Sequence, residues 1–200
     1  MNASACAKRV LDLAIGLPAF ALAIPVLALI APLIRLDSRG PILFWQTRIG
    51  KGGRPFRMCK LRTMIPKAPE LFRRRLGDRL DDFVFQEEND PRITRLGRYL
   101  RQASLDELPQ LYNVLRGEMS LVGPRPEVPA VVEHYTERQR RRLEARPGIT
   151  GLAQVSGRGD LPLGLTIELD LAYVRRAGLA YDLGLLAATL PLVLRRRGAR

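Results

Sequence analysis

The sequence contains few of the residues that build disulfide frameworks, zinc clusters or histidine-based catalytic centres. Its 200 residues include two cysteines, Cys6 and Cys59, and one histidine, His134. Two distant cysteines cannot form a disulfide framework and lack the spacing of metal ligands, so a reducing compartment is expected. His134 is interpreted as a surface residue rather than a catalytic base.

Acidic residues are also few relative to basic ones. The chain has 33 Lys and Arg against 20 Asp and Glu, which gives a formal net charge of +13. Such an excess predicts attraction to polyanions, which include nucleic acid, an anionic membrane leaflet and phosphate-rich small substrates. The length suits one compact domain with an appendage.

A long apolar run occupies residues 10–34, and Asp12 is its only charge. A straight helix of this length would reach ~37 Å, whereas the hydrocarbon core of a bilayer is ~30 Å thick. The run is too long for the apolar part of a cleavable signal peptide, and no small-residue cleavage site follows it. We therefore predict a membrane segment.

The course of this segment has two interpretations. Pro18, Pro25 and Pro32 lie within it, and basic residues flank both ends, from Arg9 on one side to Arg35 on the other. The positive-inside rule places the chain after the run in the cytoplasm. The segment is either a kinked single span, or it bends near Pro25 so that both ends return to the same face.

The remainder of the chain is polar and rich in arginine, so we divide the protein into a membrane segment, 1–36, and a cytosolic domain, 37–200. Two short runs, 42–45 and 56–61, are separated by the glycine-rich residues 50–53, a pattern typical of a β-hairpin. Together with the helices described next, this predicts an α+β fold that is mostly helical.

Helical spacing of apolar residues recurs along the cytosolic part. The predicted helices cover residues 70–80, 93–101, 108–115, 131–145, 168–174 and 181–194. In the third of these helices, Leu108, Leu111, Tyr112 and Leu115 are expected to form a buried stripe. The last helix is strongly apolar with a basic end, which suits either a helix on a membrane surface or a core helix with a basic cap.

Two adjacent carboxylates, Asp106 and Glu107, stand at the start of a helical segment. Ser104 and Glu107 match a capping box, in which both side chains bond to backbone N–H groups. Pro109 would disturb that first turn, so the helix could instead begin with Pro109 and leave both carboxylates just ahead of it. Helix N-terminal charge favours an ionised Asp106, while repulsion between the neighbours raises the pKa of one of them. Spacing alone favours the capping box.

Several cations stand on or beside backbone that is rigid or allows close approach. Arg125 lies between two prolines, and Arg158 lies between two glycines. Lys60 lies near the end of the second predicted strand, and Arg62 follows that strand. Because guanidinium groups bind phosphate oxygens in a bidentate manner, these four residues together fit a pyrophosphate site.

Six ordered sequence blocks extend over nearly the whole chain. They are KRVLD at 8–12, KLRTM at 60–64, SLDELPQLYNVL at 104–115, MSLVGPRP at 119–126, RPGITGLAQVSGR at 146–158 and ELDLAY at 168–173. In these blocks the sequence resembles the bacterial sugar transferases, the monotopic phosphoglycosyl transferases that start glycoconjugate assembly on a polyprenol carrier.

The resemblance implies a chemistry and its residues. A UDP-sugar donor and undecaprenyl phosphate, or a similar polyprenyl phosphate, are the expected substrates. Asp106 would be the nucleophile that forms a covalent phosphosugar–aspartate intermediate, with release of UMP, and Glu107 would accept a proton or position the site. Mg²⁺ is the expected cofactor, with Asp106 near or on it. The expected phosphate or nucleotide ligands are Lys60, Arg62, Arg125, Arg158 and Asp170.

The resemblance also implies a location in the bacterial inner membrane, with the catalytic domain on the cytoplasmic face. The membrane segment would be a re-entrant helix broken near Pro25, and membrane lipids and interfacial helices would hold the domain to the bilayer. The chain resembles the minimal form of the family, without the multi-span extension of larger relatives.

Two departures and two rival functions accompany this interpretation. Family members commonly have VNGRN where this chain has VSGRG at 155–159, and a serine where it has Ile24 before the bend. One rival is a metal-dependent hydrolase of nucleotide sugars that uses the same carboxylates. The other is a membrane-anchored basic binding module without catalysis. Aromatic residues make up 6% of the chain, which leaves little surface for stacking on bases, so no nucleic-acid partner is expected.

Overall fold

A computed structural model describes residues 3–65, 90–157 and 160–194. The helices are α1 (Ala3–Asp37), α2 (Arg95–Gln102), α3 (Gln110–Arg116), α4 (Pro129–Val132), α5 (Glu137–Arg140), α6 (Leu152–Ser156), α7 (Leu163–Arg176) and α8 (Leu179–Leu194). The strands are β1 (Leu43–Ile49), β2 (Pro55–Leu61), β3 (Ser120–Val122) and β4 (Gly148–Thr150). The predicted α+β class, mostly helical, is confirmed, and the predicted helix at 70–80 lies outside the described residues.

Helix α1 turns one narrow stripe toward the rest of the protein. The stripe residues recur at helical spacing and are buried or half-buried; they are Asp12, Gly16, Ala19, Phe20, Ala23, Leu27, Ile30 and Ile34. Elsewhere on α1, large apolar side chains are exposed, with Leu22 at 73% and Leu36 at 84%. Residues Ala5–Asp37 are long and apolar enough to cross a bilayer. An exposed apolar surface of this extent is typical of contact with lipid.

The three prolines of α1 lie seven residues apart on its exposed side. Each lacks an N–H group and so leaves the carbonyl four residues earlier without its helical partner. Because these losses all lie on the exposed side, they favour curvature of α1 around the domain. Contrary to the prediction, α1 has no interruption at Pro25, and the residue can at most bend the helix. The re-entrant course stays a prediction.

Both ends of α1 are fixed to the same domain by polar contacts. Near the amino end, the Lys8 ammonium donates to the Asp182 carboxylate and, at 3.2 Å, to the Tyr173 hydroxyl. Near the carboxyl end, the Arg62 guanidinium donates to the backbone carbonyl of Ile34 at 3.2 Å. The helix therefore lies along the domain instead of extending away from it.

The hairpin of β1 and β2 is antiparallel and confirms the prediction. Its turn contains a short 3₁₀ helix, Lys51–Gly53, in which Gly52 and Gly53 have positive φ. Phe44 pairs with Lys60 and Arg48 pairs with Phe56. Because alternate residues of a strand share a face, this register puts Arg48 and Lys60 on the same side of the hairpin.

Helix α2, predicted at 93–101, begins at a Thr94 cap and packs on the chain that follows β2. A Cβ atom at Gly97 would lie 2.2 Å from the carbonyl oxygen of Thr63, so only glycine allows this approach. The Arg101 Nε donates to the Thr63 hydroxyl at 3.0 Å. This packing brings the carboxyl end of α2, and the turn after it, close to β2.

Helix α3 buries a stripe that differs from the prediction. Leu111 and Val114 are buried as helical spacing requires, but Tyr112 is 39% exposed. Asn113 is fully buried instead. Its side chain accepts from the Cys59 N–H and donates to the Arg57 carbonyl, and so satisfies the edge of β2 in place of a third strand.

Strands β3 and β4 are parallel, with Ser120 opposite Gly148 and Val122 opposite Thr150. A Cβ atom at Gly148 would lie 2.1 Å from the backbone nitrogen of Gly123. The backbone of β4 can therefore approach the backbone after β3 this closely because both contact residues, Gly148 and Gly123, are glycines. This contact fixes the start of the loop at residues 123–126.

The predicted helix at 131–145 is divided into α4, α5 and a 3₁₀ turn, Arg141–Glu144. The division occurs because Thr136 and Gln139 form a capping box that starts a new helix. Helices α7 and α8 confirm the last two predicted helices and begin earlier than expected. Helix α8 is partly core and partly exposed, since Leu185 is 5% exposed and Leu190 is 67% exposed.

Candidate active site

The two adjacent carboxylates lie on a 3₁₀ turn, Leu105–Glu107, between α2 and α3. Ser104 adopts a left-handed conformation with φ 56° and makes no side-chain capping bond. Helix α3 begins after Pro109, which stands at its N-cap position. The capping-box interpretation is therefore wrong, and the alternative, with both carboxylates ahead of the helix, is confirmed.

Glu107 is bound by two cations from distant parts of the chain. Its Oε1 accepts from the Lys60 Nζ at 3.2 Å and from the Arg125 Nη2 at 3.1 Å. Burial by itself raises the pKa of Glu107, but the charges and hydrogen bonds of Lys60 and Arg125 outweigh it and lower this pKa to about 2. Glu107 is therefore ionised at neutral pH, and its carboxylate holds the side chains of Lys60 and Arg125 in place.

Asp106 has the opposite character. It is 7% exposed, and no side-chain hydrogen bond or ion pair joins its carboxylate to the residues in the described ranges. Burial and the charge of Glu107 raise its pKa to about 6, against the charges of Lys60 and Arg101. A carboxyl group with this pKa is still ~90% ionised at pH 7. Asp106 is thus a desolvated anion, and both of its carboxylate oxygens are available to contact a substrate or a cation.

Arg125 is held in place through the backbone of its loop. The Arg142 guanidinium donates to the Arg125 carbonyl at 2.9 Å, and the Arg48 Nη1 donates to the Pro126 carbonyl at 2.8 Å. Arg142 is in turn paired with Asp170, and both side chains are at most 2% exposed. Burial raises the pKa of Asp170 to about 6, in spite of the Arg142 charge beside it.

The structure brings together some of the predicted site residues and separates others. Lys60, Arg125, Asp106 and Glu107 converge. Arg62 does not join them, because its donors bind the carbonyls at the end of α1, among them Ile34 and Ser38.

Of the two remaining predicted ligands, Asp170 does not reach the carboxylates. Asp170 is fully buried behind the loop at residues 123–126, so the prediction of a direct phosphate ligand does not fit its position. Arg158 lies outside the described residues. His134 is exposed, as predicted.

Sequence reasoning missed three arginines of the site. Arg101 lowers the pKa of Asp106, Arg48 supports the loop at residues 123–126, and Arg142 holds Arg125. The hairpin register could have identified Arg48, since it shares a face with Lys60. Nothing in the local pattern distinguishes Arg101 or Arg142 from the other arginines of the chain.

The donor set fits a magnesium ion that is held jointly by protein and substrate. In the part of the chain that the structure describes, no three Asp, Glu, His or Cys side chains cluster as a closed metal cage. Mg²⁺ commonly uses one or two carboxylates together with substrate phosphates and water. The available oxygens of Asp106 suit this mode, whereas Glu107 is occupied by Lys60 and Arg125.

Comparison with known proteins identifies the family. The family model described as bacterial sugar transferase matches residues 3–196. The chain belongs to this family. The family resemblance found in the sequence is therefore confirmed.

Three relatives illustrate the range of family members that the chain matches. A UDP-glucose:undecaprenyl-phosphate glucose-1-phosphate transferase of Caulobacter vibrioides is 45% identical over 94% of this chain and 69% of its own length. A UDP-galactose-lipid carrier transferase of Erwinia amylovora is 41% identical over 96% of this chain and 41% of its own length. The exopolysaccharide production protein ExoY of Rhizobium meliloti is 38% identical over 96% of this chain and 88% of its own length. The chain thus spans about two fifths of the Erwinia relative and most of ExoY.

Proposed function

We propose that the protein transfers a phosphosugar from a UDP-sugar to a polyprenyl phosphate such as undecaprenyl phosphate, and so starts the assembly of a polysaccharide or glycoconjugate. The observation that carries the proposal is the Asp106 carboxylate, which is desolvated and available among Lys60, Arg101 and Arg125. An available anion within a cationic site suits attack on a diphosphate. The names of the Caulobacter and Erwinia relatives support the two substrate classes.

In the first step, a carboxylate oxygen of Asp106 attacks the β-phosphorus of the donor. The bond from this phosphorus to the oxygen that bridges the two phosphates breaks, and UMP leaves with that oxygen and its electron pair. The phosphosugar is then bound to Asp106 as a mixed anhydride. Lys60 and Arg125 are placed to bind the phosphate oxygens, whose charge redistributes in the transition state.

In the second step, a phosphate oxygen of the polyprenyl phosphate attacks the same phosphorus. The bond between Asp106 and phosphorus breaks, the Asp106 carboxylate is regenerated, and a polyprenyl diphosphate sugar is formed. Neither step requires a net proton transfer when the acceptor phosphate is fully ionised. A general base is therefore not needed for this chemistry.

Glu107 is assigned a positioning role on this basis. A carboxylate whose pKa is lowered to about 2 is a weak proton acceptor at neutral pH. Its interactions with Lys60 and Arg125 instead hold two phosphate-binding cations at fixed positions beside Asp106. Of the two roles expected for Glu107, positioning is the one that its contacts support.

Magnesium is the proposed cofactor, and Asp106 is the residue that would hold it. When bound, the ion supplies charge neutralisation on the diphosphate oxygens. The cations around the carboxylates do the same for the remaining phosphate charge. The site thus combines one available anion with several fixed positive charges.

The proposed location is the bacterial inner membrane, with the domain on the cytoplasmic face. The contacts of Lys8 and Arg62 hold both ends of α1 against one domain, which favours a helix that enters and leaves the bilayer on one side. The exposed apolar face of α1 would then lie in lipid. Cysteine labelling at positions 2 and 38 in intact cells tests this course, and opposite accessibility would contradict it.

The function is tested by UMP release from a panel of UDP-sugars, with purified protein and magnesium. Without acceptor, we expect a single burst of at most one UMP per protein, because the phosphosugar remains on Asp106. With undecaprenyl phosphate, release should become continuous. Continuous release without acceptor would instead show a hydrolase. Tight, salt-sensitive DNA binding with no UMP release would show a binding module.

The pH dependence of the burst reports the protonation of Asp106. Because burial and the charge of Glu107 raise the pKa of Asp106 and only the anion attacks, the second-order rate constant of the burst should fall about tenfold per pH unit on the acid side of this pKa, which bound Mg²⁺ would lower from about 6. Omitting the acceptor removes the titration of its phosphate from the profile. Glu107→Gln removes a charge that raises this pKa, so its acid limb should lie at lower pH. An acid limb that stays at the same pH in Glu107→Gln would contradict the assignment.

A further inference from the structure

Two polar side chains of α1 bind the backbone of β3. In the described part of the chain, the sheet of β3 has two strands, with β4 as the partner. Lys8 and Asp12 are one turn apart on α1 and so lie on the same face of the helix. The Asp12 Oδ1 accepts from the Leu121 N–H and from the Ser120 hydroxyl, both at 2.9 Å. The Lys8 Nζ donates to the Val122 carbonyl at 3.0 Å.

The contact between α1 and β3 is buried. Asp12 is 1% exposed and Ser120 is fully buried. A buried N–H group or hydroxyl that loses its acceptor costs free energy, so β3 is held firmly at Asp12. Asp12 is also the only charge in the apolar run at residues 10–34. Because a carboxylate in such a segment is costly by itself, its presence favours a functional role.

Strand β3 leads directly into the loop that carries Arg125. Val122 is the last residue of the strand, three positions before Arg125. Between them, the Gly123 N–H donates to the Thr150 carbonyl at 2.8 Å, and the Pro124 carbonyl accepts from the first residue of β4 at 2.9 Å. The proline ring also fixes φ at position 124. The loop therefore has little freedom to absorb a shift of the strand.

We propose that Asp12 and Lys8 are positioning residues of the active site, because they hold β3 and thereby place Arg125 for binding the donor diphosphate. The inference rests on the proposed function and gives α1 a role in substrate binding besides anchoring. The Arg125 Nη2 lies 3.1 Å from the Glu107 Oε1. A loop shift of about 1 Å would break this hydrogen bond and move the cation away from the phosphate oxygens.

A purely structural role of Asp12 is the alternative, and both roles predict some loss of stability when Asp12 is replaced. They differ in what the replacement does to the active site. A positioning residue acts through Arg125, so its effect on the reaction requires the Arg125 guanidinium. A structural residue affects the reaction whether or not that guanidinium is present.

A double-mutant cycle separates the two roles. Asp12→Leu removes the acceptor and keeps an apolar side chain of similar size in α1. In nanodiscs, at a temperature where each variant is folded, it should slow the UMP burst about tenfold. In the Arg125→Met background the same substitution should change the burst less than about twofold. A tenfold decrease in both backgrounds would overturn the proposal.

Two milder variants keep the test independent of the stability of Asp12→Leu. Asp12→Asn should retain a burst rate close to that of the wild type, because the amide oxygen can accept from the same Leu121 N–H and Ser120 hydroxyl. Ser120→Ala removes one of the two hydrogen bonds and should slow the burst about threefold, again only when Arg125 is present. An unchanged burst in both Ser120→Ala and Asp12→Leu would contradict the positioning role.

Arg9→Met is the matched control. Arg9 adjoins Lys8 on α1 and also binds backbone carbonyls, those of Val114 and Leu115 at 2.6 Å each. These carbonyls lie at the carboxyl end of α3, so the variant should lower thermal stability and leave the burst rate within about twofold of the wild type. An equal slowing by Arg9→Met and Asp12→Leu would show a general effect of α1 and overturn the proposal.

Binding of UDP gives a readout that needs no covalent step. Asp12→Leu should weaken UDP binding about tenfold, and it should have little effect in the Arg125→Met background. If the wild type shows no UMP burst but this coupling is found, the proposed function fails and the positioning role stands. If the burst occurs and neither the burst nor UDP binding shows coupling between Asp12 and Arg125, the positioning role alone is overturned.

Discussion

Replacing Asp106 with Asn should reduce phosphosugar transfer by about 10³-fold or more, because an amide cannot form the covalent intermediate. The substitution is nearly isosteric, and the Asp106 carboxylate makes no hydrogen bond or ion pair to other described residues, so the fold should be unchanged. Removing a buried charge should even favour folding slightly. The expected defect is therefore in chemistry, and the rate of transfer by the purified variant measures it.

Covalent trapping identifies the atom that attacks. Wild-type protein incubated with a donor labelled in its β-phosphate should carry the label on a peptide that contains Asp106, and Asp106→Asn should carry none. Glu107→Gln serves as the control, because it should slow labelling by disturbing Lys60 and Arg125 without preventing it. Near-normal transfer by Asp106→Asn would show that the nucleophile is another residue.

The second large effect is expected at the buried pair of Arg142 and Asp170. Both side chains are at most 2% exposed, and Arg142 also binds the Tyr135 hydroxyl and the Arg125 carbonyl. Asp170→Ala leaves the buried Arg142 charge with only the more distant Glu127 carboxylate, whose Oε1 lies 3.9 Å from Arg142 Nη1, which should lower the free energy of unfolding by about 3 kcal/mol. Thermal unfolding in detergent, followed by Trp45 emission, measures this loss.

A double variant separates stability from positioning. Arg142→Met together with Asp170→Ala removes both charges, so most of the lost stability should return. Transfer should remain about tenfold or more below the wild type, because a methionine side chain cannot donate to the Arg125 carbonyl and the loop loses its support. If the double variant recovers both stability and transfer, the pair does not position Arg125.

The sequence predicted those features of the fold that depend on near neighbours. The hairpin, its glycine turn and α2 follow from residues within a few positions of each other, whereas the start of α3 after Pro109 was the alternative that spacing did not favour. The segment at 131–145 was predicted incorrectly because a general helical spacing was given more weight than the capping box at Thr136, which starts a new helix there. The helical spacing predicted one continuous helix, whereas the capping box predicted a new start at Thr136, and the capping box determined the structure.

The partners of the site residues could not be predicted in the same way. Lys60 and Glu107 are 47 positions apart, and Arg125 and Glu107 are 18 apart. Arg62, like Lys60, is a cation at the end of the second hairpin strand, yet its guanidinium donates to backbone carbonyls at the end of α1. In a chain with so many arginines, only three-dimensional contacts distinguish a phosphate-binding cation from one that caps a helix.

The sequence by itself determined that a long apolar segment precedes a basic domain and that Asp106 and Glu107 adjoin each other near the start of a helix, since these properties are written in residue order. The tertiary structure decided how α1 lies, because the stripe from Asp12 to Ile34 is buried only where the domain meets it. It also decided how the carboxylates differ. Lys60 and Arg125 converge on Glu107 and lower its pKa, whereas burial raises the pKa of Asp106. Both effects depend on distance through space rather than along the chain.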